Sequence, residues 1–473
     1  MLPDTRNIEV TDMRMRISGT DFMNRHFTRP SVSWKEITAI WLPLMAEVVF
    51  SNVFGLINSG MISSSGVTSL SAVSLVDSLN NFLLVFYTGV STGASVVVAK
   101  HRGFGRKDRL HEACVQAVTS VTMFTLLTAL VVILFNKPLL KMLFGAAEEE
   151  VMSKALTYML GGAISLPLVG VTVSMCGVLR GTGEGKTALT YTIISTLYYV
   201  GFNVLFLAIL KMGIPGLILS ITLTRTLNVV LLLTLMKVRK SQFTFRFREF
   251  FHIDFNIFRS IMRIGMPCAA ENLFFTGGRL VTQTIIVPMG TLAIATYNVS
   301  FAIMSVSQCL GSAVYTTMFT VTGICLGKAR HQDIRDLTKS FTGLATVMHA
   351  IACAVVLALF PVLVQFYHAP QEIVADIFVC VLTITFSNIL IHPSGFMLPS
   401  IFRAAGNGMY CTVMSLVIMW AVRVFAGYVL GVWFGMGVMG VWIAMILDWL
   451  ARAIIYSLHY RKKSWLEEKE TIF

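Results

Sequence analysis

In Trp41-Leu-Pro43-Leu-Met-Ala-Glu47 a proline is followed four residues later by a glutamate, inside an apolar run. The same Pro-x-x-x-Glu spacing returns 224 residues later in Gly265-Met-Pro267-Cys-Ala-Ala-Glu271. Two further markers keep step. Gly103-x-x-Arg106 returns as Gly327-x-x-Arg330 at 224, and Arg180-Gly-Thr-Gly183 as Arg403-Ala-Ala-Gly406 at 223. Markers at nearly constant spacing between apolar stretches point to two similar halves in one membrane. Duplicated bundles of that kind build a site between them that opens to each side in turn.

Composition agrees. Apolar residues make up 55% of the 473 and charged residues 13%, and the mean hydropathy is +0.75, too apolar for a soluble surface. Twelve apolar runs, centred near residues 49, 84, 124, 165, 198, 224, 273, 308, 351, 386, 421 and 448, are each long enough to cross a bilayer core of about 30 Å. Lipid offers the backbone no partners, so the runs are expected to be helices. The expected fold is therefore all-α and integral to the membrane, twelve spans in two pseudo-symmetric six-helix bundles around a central cavity. The halves are read as 37–236 and 261–460, with a basic linker at 237–260 and tails at 1–36 and 461–473. The Phe/Arg-rich linker suits a segment lying on the lipid surface.

Of 37 Lys and Arg, 29 fall in loops of one parity and only Lys137, Lys141, Lys154 and Lys211 in the other. The positive-inside rule then puts both chain ends in the cytoplasm of a cell-membrane protein. The net charge of +13 is a topology signal, not a nucleic-acid footprint, which needs a soluble basic face. No apolar stretch with a cleavage site opens the chain, so no signal peptide is expected. Eight scattered cysteines without a CxxC pair read as small apolar packers. Gly181–Thr187 superficially resembles a phosphate loop, but Arg180 stands where the first glycine belongs, which leaves a tight turn.

Charges inside spans carry the most information, because each costs about 2.5–3.5 kcal/mol on insertion scales unless paired or wetted. The acids are Glu47, Asp77, Glu271 and Asp448, and the bases Arg225, Arg279, Arg423 and Arg452. Arg423 and Asp448, on consecutive spans, can pair. A carboxylate isolated in low dielectric can exchange a proton near neutral pH, so Glu271 and Glu47 are candidate coupling groups, with Arg pairing as the structural alternative. Arg279 lies about 80° around the helix from Glu271 and can share its cavity. His392 before Pro393 is a further titratable group at a helix break.

Trp-Leu-Pro43-Leu-Met-Ala-Glu47, Gly-Val-Ser-Thr-Gly93-Ala-Ser, Gly-Val-Leu-Arg180-Gly-Thr-Gly183 and Arg-Ile-Gly-Met-Pro267, in this order, resemble the multidrug and toxic compound extrusion (MATE) transporters. Val76-Asp77-Ser-Leu-Asn80 and Glu271-Asn-Leu-Phe-Phe-Thr-Gly-Gly-Arg279 are similar to a bacterial branch of that family, and the resemblance runs from about 36 to 460. It implies two six-helix lobes and export of organic compounds against a Na+ or H+ gradient. Two departures matter. The acid many members carry in the first helix is replaced in Ile57-Asn58-Ser59, and their fifth-helix Asn-x-x-x-Asp reads Tyr199-x-x-x-Asn203. A tenth-helix acid of some members aligns with His392.

The expectation is a secondary antiporter exporting amphipathic small molecules. Glu271 couples it, helped by Glu47 or His392, to H+ ahead of Na+, and Asn58, Asp77, Tyr199, Asn203 and Arg279 line the substrate cavity. No cofactor beyond the coupling ion is expected, nor nucleic acid. Small-molecule cargo and membrane lipid are the partners, and the chain is read as a monomer. A flippase for a lipid-linked precursor is the alternative, kept open by Arg279 and Arg423. A major facilitator carrier shares the 6+6 plan. No catalytic dyad or metal cluster supports an enzyme.

Overall fold

A backbone in lipid must satisfy itself, and the apolar runs do so as helices. The computed structural model describes residues 23–62, 67–105, 107–144, 149–239, 241, 243, 254–367 and 369–462, with side chains only partly described between 52 and 78. The first half comprises α1 (Trp34–Ile62), α2 (Val67–Gly103), α3 (Lys107–Leu134), α4 (Asn136–Phe144), α5 (Glu149–Ile164), α6 (Leu166–Gly181), α7 (Gly185–Asn203) and α8 (Gly213–Val238). The second comprises α9 (Phe255–Ile286), α10 (Thr291–Gly327), α11 (His331–Ala358), α12 (Phe360–Phe366), α13 (Val374–Leu390), α14 (His392–Ala404), α15 (Gly408–Ile418), α16 (Phe425–Tyr428) and α17 (Gly437–Arg461). Half of the expected lipid-surface linker, most of the first tail and nearly all of the second lie outside the described residues.

Nine described helices are long and apolar enough to cross a bilayer, and α5 with α6, bent by 49° at Ser165, makes a tenth. Pro167 at the start of α6 has no N–H to continue the ladder, which permits the bend. The two remaining runs of the twelve are α1 and α9, each with a proline inside. The repeat is exact in places. Both α2 and α10 have 37 residues, both α3 and α11 have 28, and each pair is displaced by 224.

The halves meet through bare backbone. A Cβ on Gly89 would strike the backbone of Ala269, one on Gly93 that of Gly265, and one on Gly103 that of Gly327. In lipid no hydrophobic force drives helices together, so close approach of small residues supplies the dispersion contact instead. The first helix of each half also begins in the core of the other. Ile37, Ile40 and Leu44 of α1 pack with Val314, Met318 and Val321 of α10. Ile257, Ile261 and Ile264 of α9 pack with Val96, Val97 and Ala113 of the first half. All eight cysteines are free, seven of them buried.

Gly93→Val should force this seam apart at a cost of about 1–3 kcal/mol, the usual range for overpacking. Cys268, 3% exposed beside the contact, should then react faster with maleimide, as measured by peptide mass spectrometry.

Candidate functional site

The two repeated glutamates each find the repeated arginine of their own half. Glu47 of α1 accepts from Arg180 Nη2 at 2.5 Å and from Thr192 Oγ1 at 3.3 Å. Glu271 of α9 accepts from Arg403 Nη1 at 2.9 Å and from Ser415 Oγ at 2.8 Å. Thr192 and Ser415 are again 223 residues apart, so a whole acid–guanidinium–hydroxyl triad is duplicated. Both carboxylates are 12% exposed. The isolated carboxylate expected from sequence is therefore absent at both positions: each acid is ion-paired, and each pair ties the first helix of its half to the end of the helix before the fifth span.

In the second half the triad continues inward. Arg452 Nη1 donates to Ser415 Oγ at 2.8 Å and its Nε to Asp448 Oδ1 at 3.1 Å, while Arg423 Nη1 lies 3.9 Å from Asp448 Oδ2. Arg423 is 1% exposed and rests over the Phe275 ring at 5.4 Å, so it lines no open groove of the kind a lipid flippase needs. Arg279 is exposed, over the ring of Phe301 at 4.6 Å, and the ion pairs among the described residues do not join it to Glu271. His392 is buried. Its Nδ1 is 3.0 Å from Tyr315 Oη, its ring stacks on Phe396 at 4.0 Å and the edge of Trp449 closes it at 4.8 Å.

The first half instead forms an open chamber of about 440 Å³. Asp77, Asn80 and Asn81 enter it from α2, Tyr158 from α5, Thr172 from α6, Tyr199 from α7, and Arg225 and Asn228 from α8. Tyr158 Oη donates to Asp77 Oδ1 at 2.9 Å. Arg225 is fixed through Nη1, which donates to Gly162 O at 2.9 Å and Ser165 Oγ at 2.6 Å. Those two acceptors sit at the α5–α6 bend, where Gly162 O also accepts from Ser165 N–H at 3.2 Å and from Ser165 Oγ at 2.9 Å. Asp77 and Arg225 are not among the described ion pairs, so one charge of each sign shares the chamber.

The second half has a pocket of about 420 Å³ elsewhere, beside Thr296, Glu372 and Asp376, and the repeat explains why it has none at the matching position. At a displacement of 224, Asp77 corresponds to Phe301 and Arg225 to Trp449; at 223, Val169 and Val173 correspond to His392 and Phe396. The matching space of the second half is filled by the aromatic stack around His392.

Of the expected cavity residues, Asp77 and Tyr199 line the chamber. Asn203 does not: it is fully buried and its Oδ1 accepts from Ser220 Oγ at 2.6 Å. Asn58 lies on α1, its side chain outside those described. Glu47, Glu271 and His392 are not brought into one site. Asn81, Tyr158 and Asn228 escaped the sequence reading, because uncharged polar residues in a span look like ordinary packing; Asn80 entered it only within a family motif. Arg225 alone carried a signal, as a charge inside an apolar run.

Two matched helical halves, each with charges buried at membrane depth, define a membrane transporter rather than an enzyme. The MatE family profile matches residues 43–205 and 267–429, one copy per half, and the chain belongs to that family. It is 21% identical over 459 residues to the uncharacterized transporter YisQ of Bacillus subtilis, covering 94% of this chain and 98% of that one. It is 22% identical to the probable multidrug resistance protein NorM of Thermotoga maritima, covering 91% and 93%. Among solved structures, the outward-facing conformation of a MATE family transporter of the MOP superfamily superposes with a TM-score of 0.83 at 18% identity, covering 92% of this chain and 97% of that one.

Removing one partner of a buried ion pair leaves the other charge uncompensated. Arg403→Gln should therefore destabilise the protein by about 3 kcal/mol. Adding Glu271→Gln should recover part of that loss, and thermal unfolding of the single and double variants measures the coupling.

Proposed function

We propose that the chain exports amphipathic organic molecules by alternating access, with the first-half chamber holding the polar end of the cargo. One observation carries this. Along the single helix α2, Asp77, Asn80 and Asn81 line the chamber, and Gly89, Gly93 and Gly103, further on, press against the other half. A chamber at one end of a helix and a seal at the other is one state of a two-state carrier. With the basic loops cytoplasmic, the chamber lies toward the outside and the seal toward the cytoplasm.

The relatives named multidrug resistance proteins support organic cargo. A carboxylate and a guanidinium that make no direct ion pair suit cargo with both a cationic and an anionic group, since each charge needs a partner when water is displaced. Coupling runs through Glu271. Protonation would break its ion pair with Arg403 and loosen α9, the helix that closes the seal, from α14. A proton needs one carboxylate oxygen, whereas Na+ would need several oxygen ligands freed from the guanidinium, so H+ is the coupling ion of this reading.

Glu271→Gln should abolish efflux driven by a pH gradient in proteoliposomes while the protein still folds. Undiminished proton-driven efflux from that variant excludes the coupling role. Arg225→Gln and Asp77→Asn should each weaken binding of a zwitterionic probe by about tenfold or more, the worth of one charge-assisted hydrogen bond. Arg225→Gln should leave tetraphenylphosphonium, a cation that offers no hydrogen bonds and has no anionic group, much less affected. Titration calorimetry on the purified protein reads both.

A further inference from the structure

Residues 23–33 precede the first half in sequence but are docked on the second. The Ser31 N–H donates to Asp333 Oδ2 at 3.0 Å, its carbonyl accepts from Lys328 Nζ at 2.6 Å, and its hydroxyl lies 3.2 Å from Cys325 Sγ. Ser340 Oγ donates to the carbonyl of His26 at 2.7 Å, and Arg29 lies 3.6 Å from Asp336. Phe27 meets the Phe341 ring edge-on at 5.5 Å. A tight turn, closed by two backbone hydrogen bonds between Arg29 and Val32, holds Ser31 at its tip. Ser31 is 1% exposed and Asp333 7%.

The same stretch runs on into α1, and α1 is tied to the first half by Glu47 and Arg180. One continuous segment is thus anchored to both halves. Its docking site is the turn between α10 and α11, which also carries Gly327, the glycine pressed against Gly103 in the seal. Parting the halves at this end must either pull Ser31 away from Asp333 or bend the chain between Ser33 and Glu47, a stretch that packs on the second half up to Leu44 and contains Pro43. The first route strips a buried carboxylate of its amide donor, a penalty the closed state does not bear.

We infer that residues 23–33 are a latch holding the halves together at the basic-loop end, and that this end opens only when the latch lets go. The inference rests on the alternating-access reading. It adds a part of the chain outside both repeats to the moving machinery.

The native Cys325 makes the latch testable. Ser31→Cys places a second thiol against it, and oxidation by copper phenanthroline, the electron acceptor, joins the two sulfurs with loss of two protons. Two measurements are made on the full-length protein, the bond being verified by mass spectrometry: ethidium efflux from proteoliposomes, and the rate at which maleimide reaches Cys268 in the seal. The expected result is at least about a tenfold fall in both on oxidation, reversed by dithiothreitol. The unsubstituted protein should be indifferent to the same treatment. A cross-linked protein whose Cys268 reacts at an unchanged rate overturns the latch, whether the seal opens past it or stays shut without it. Absence of ethidium efflux in the unsubstituted protein, with Cys268 still protected by the cross-link, would instead remove the transport reading and leave the latch standing.

Discussion

Contact between backbones is the constraint on which the arrangement depends. At Gly89, Gly93 and Gly103 the second helix of the first half touches the main chain of the second half with no side chain between. In water such a seam would be reinforced by expelling solvent; in lipid it holds largely through dispersion, of which a gap of about 0.5–1 Å forfeits a quarter to a half. The seam therefore depends on close contact along its length.

The membrane's intolerance of lone charge shapes everything around the seam. The duplicated Glu–Arg–hydroxyl triads let each half keep a carboxylate at depth without leaving it unpaired. The second half goes further, running Ser415, Arg452, Asp448 and Arg423 into one buried cluster. Its surplus guanidinium charge is spread over aromatic faces, Arg423 over Phe275 and Arg452 over Phe396. Duplication supplied one scaffold twice, and divergence spent the copies differently. Large rings filled the second half around His392, while polar side chains line an open cavity at the matching place in the first.

The plan of the fold was legible in the residues because hydropathy and the 224-residue step are one-dimensional signals. Helices must span wherever about twenty apolar residues run together, and the equal lengths of α2 and α10 follow from that rule applied twice. The candidate site was legible only in part. Asp77 stood out as an acid in a span and Tyr199 through its place in a motif, whereas Asn81 and Asn228 carried no mark. Glu271 was read as a titratable group with Arg279 of its own helix as the base nearest in sequence. Its arginine lies 132 residues away, across a distance no local pattern covers.

By itself, then, the sequence determined the class: a duplicated helical bundle in lipid, its buried charges few enough to name. Only the tertiary structure decided which charges meet, where each half keeps a hollow, and that the stretch before the first helix reaches across to the opposite half. Spanning is dictated by each segment's own partition between water and lipid. Pairing depends on which side chains converge from distant segments once the helices have packed, and no segment carries that information alone.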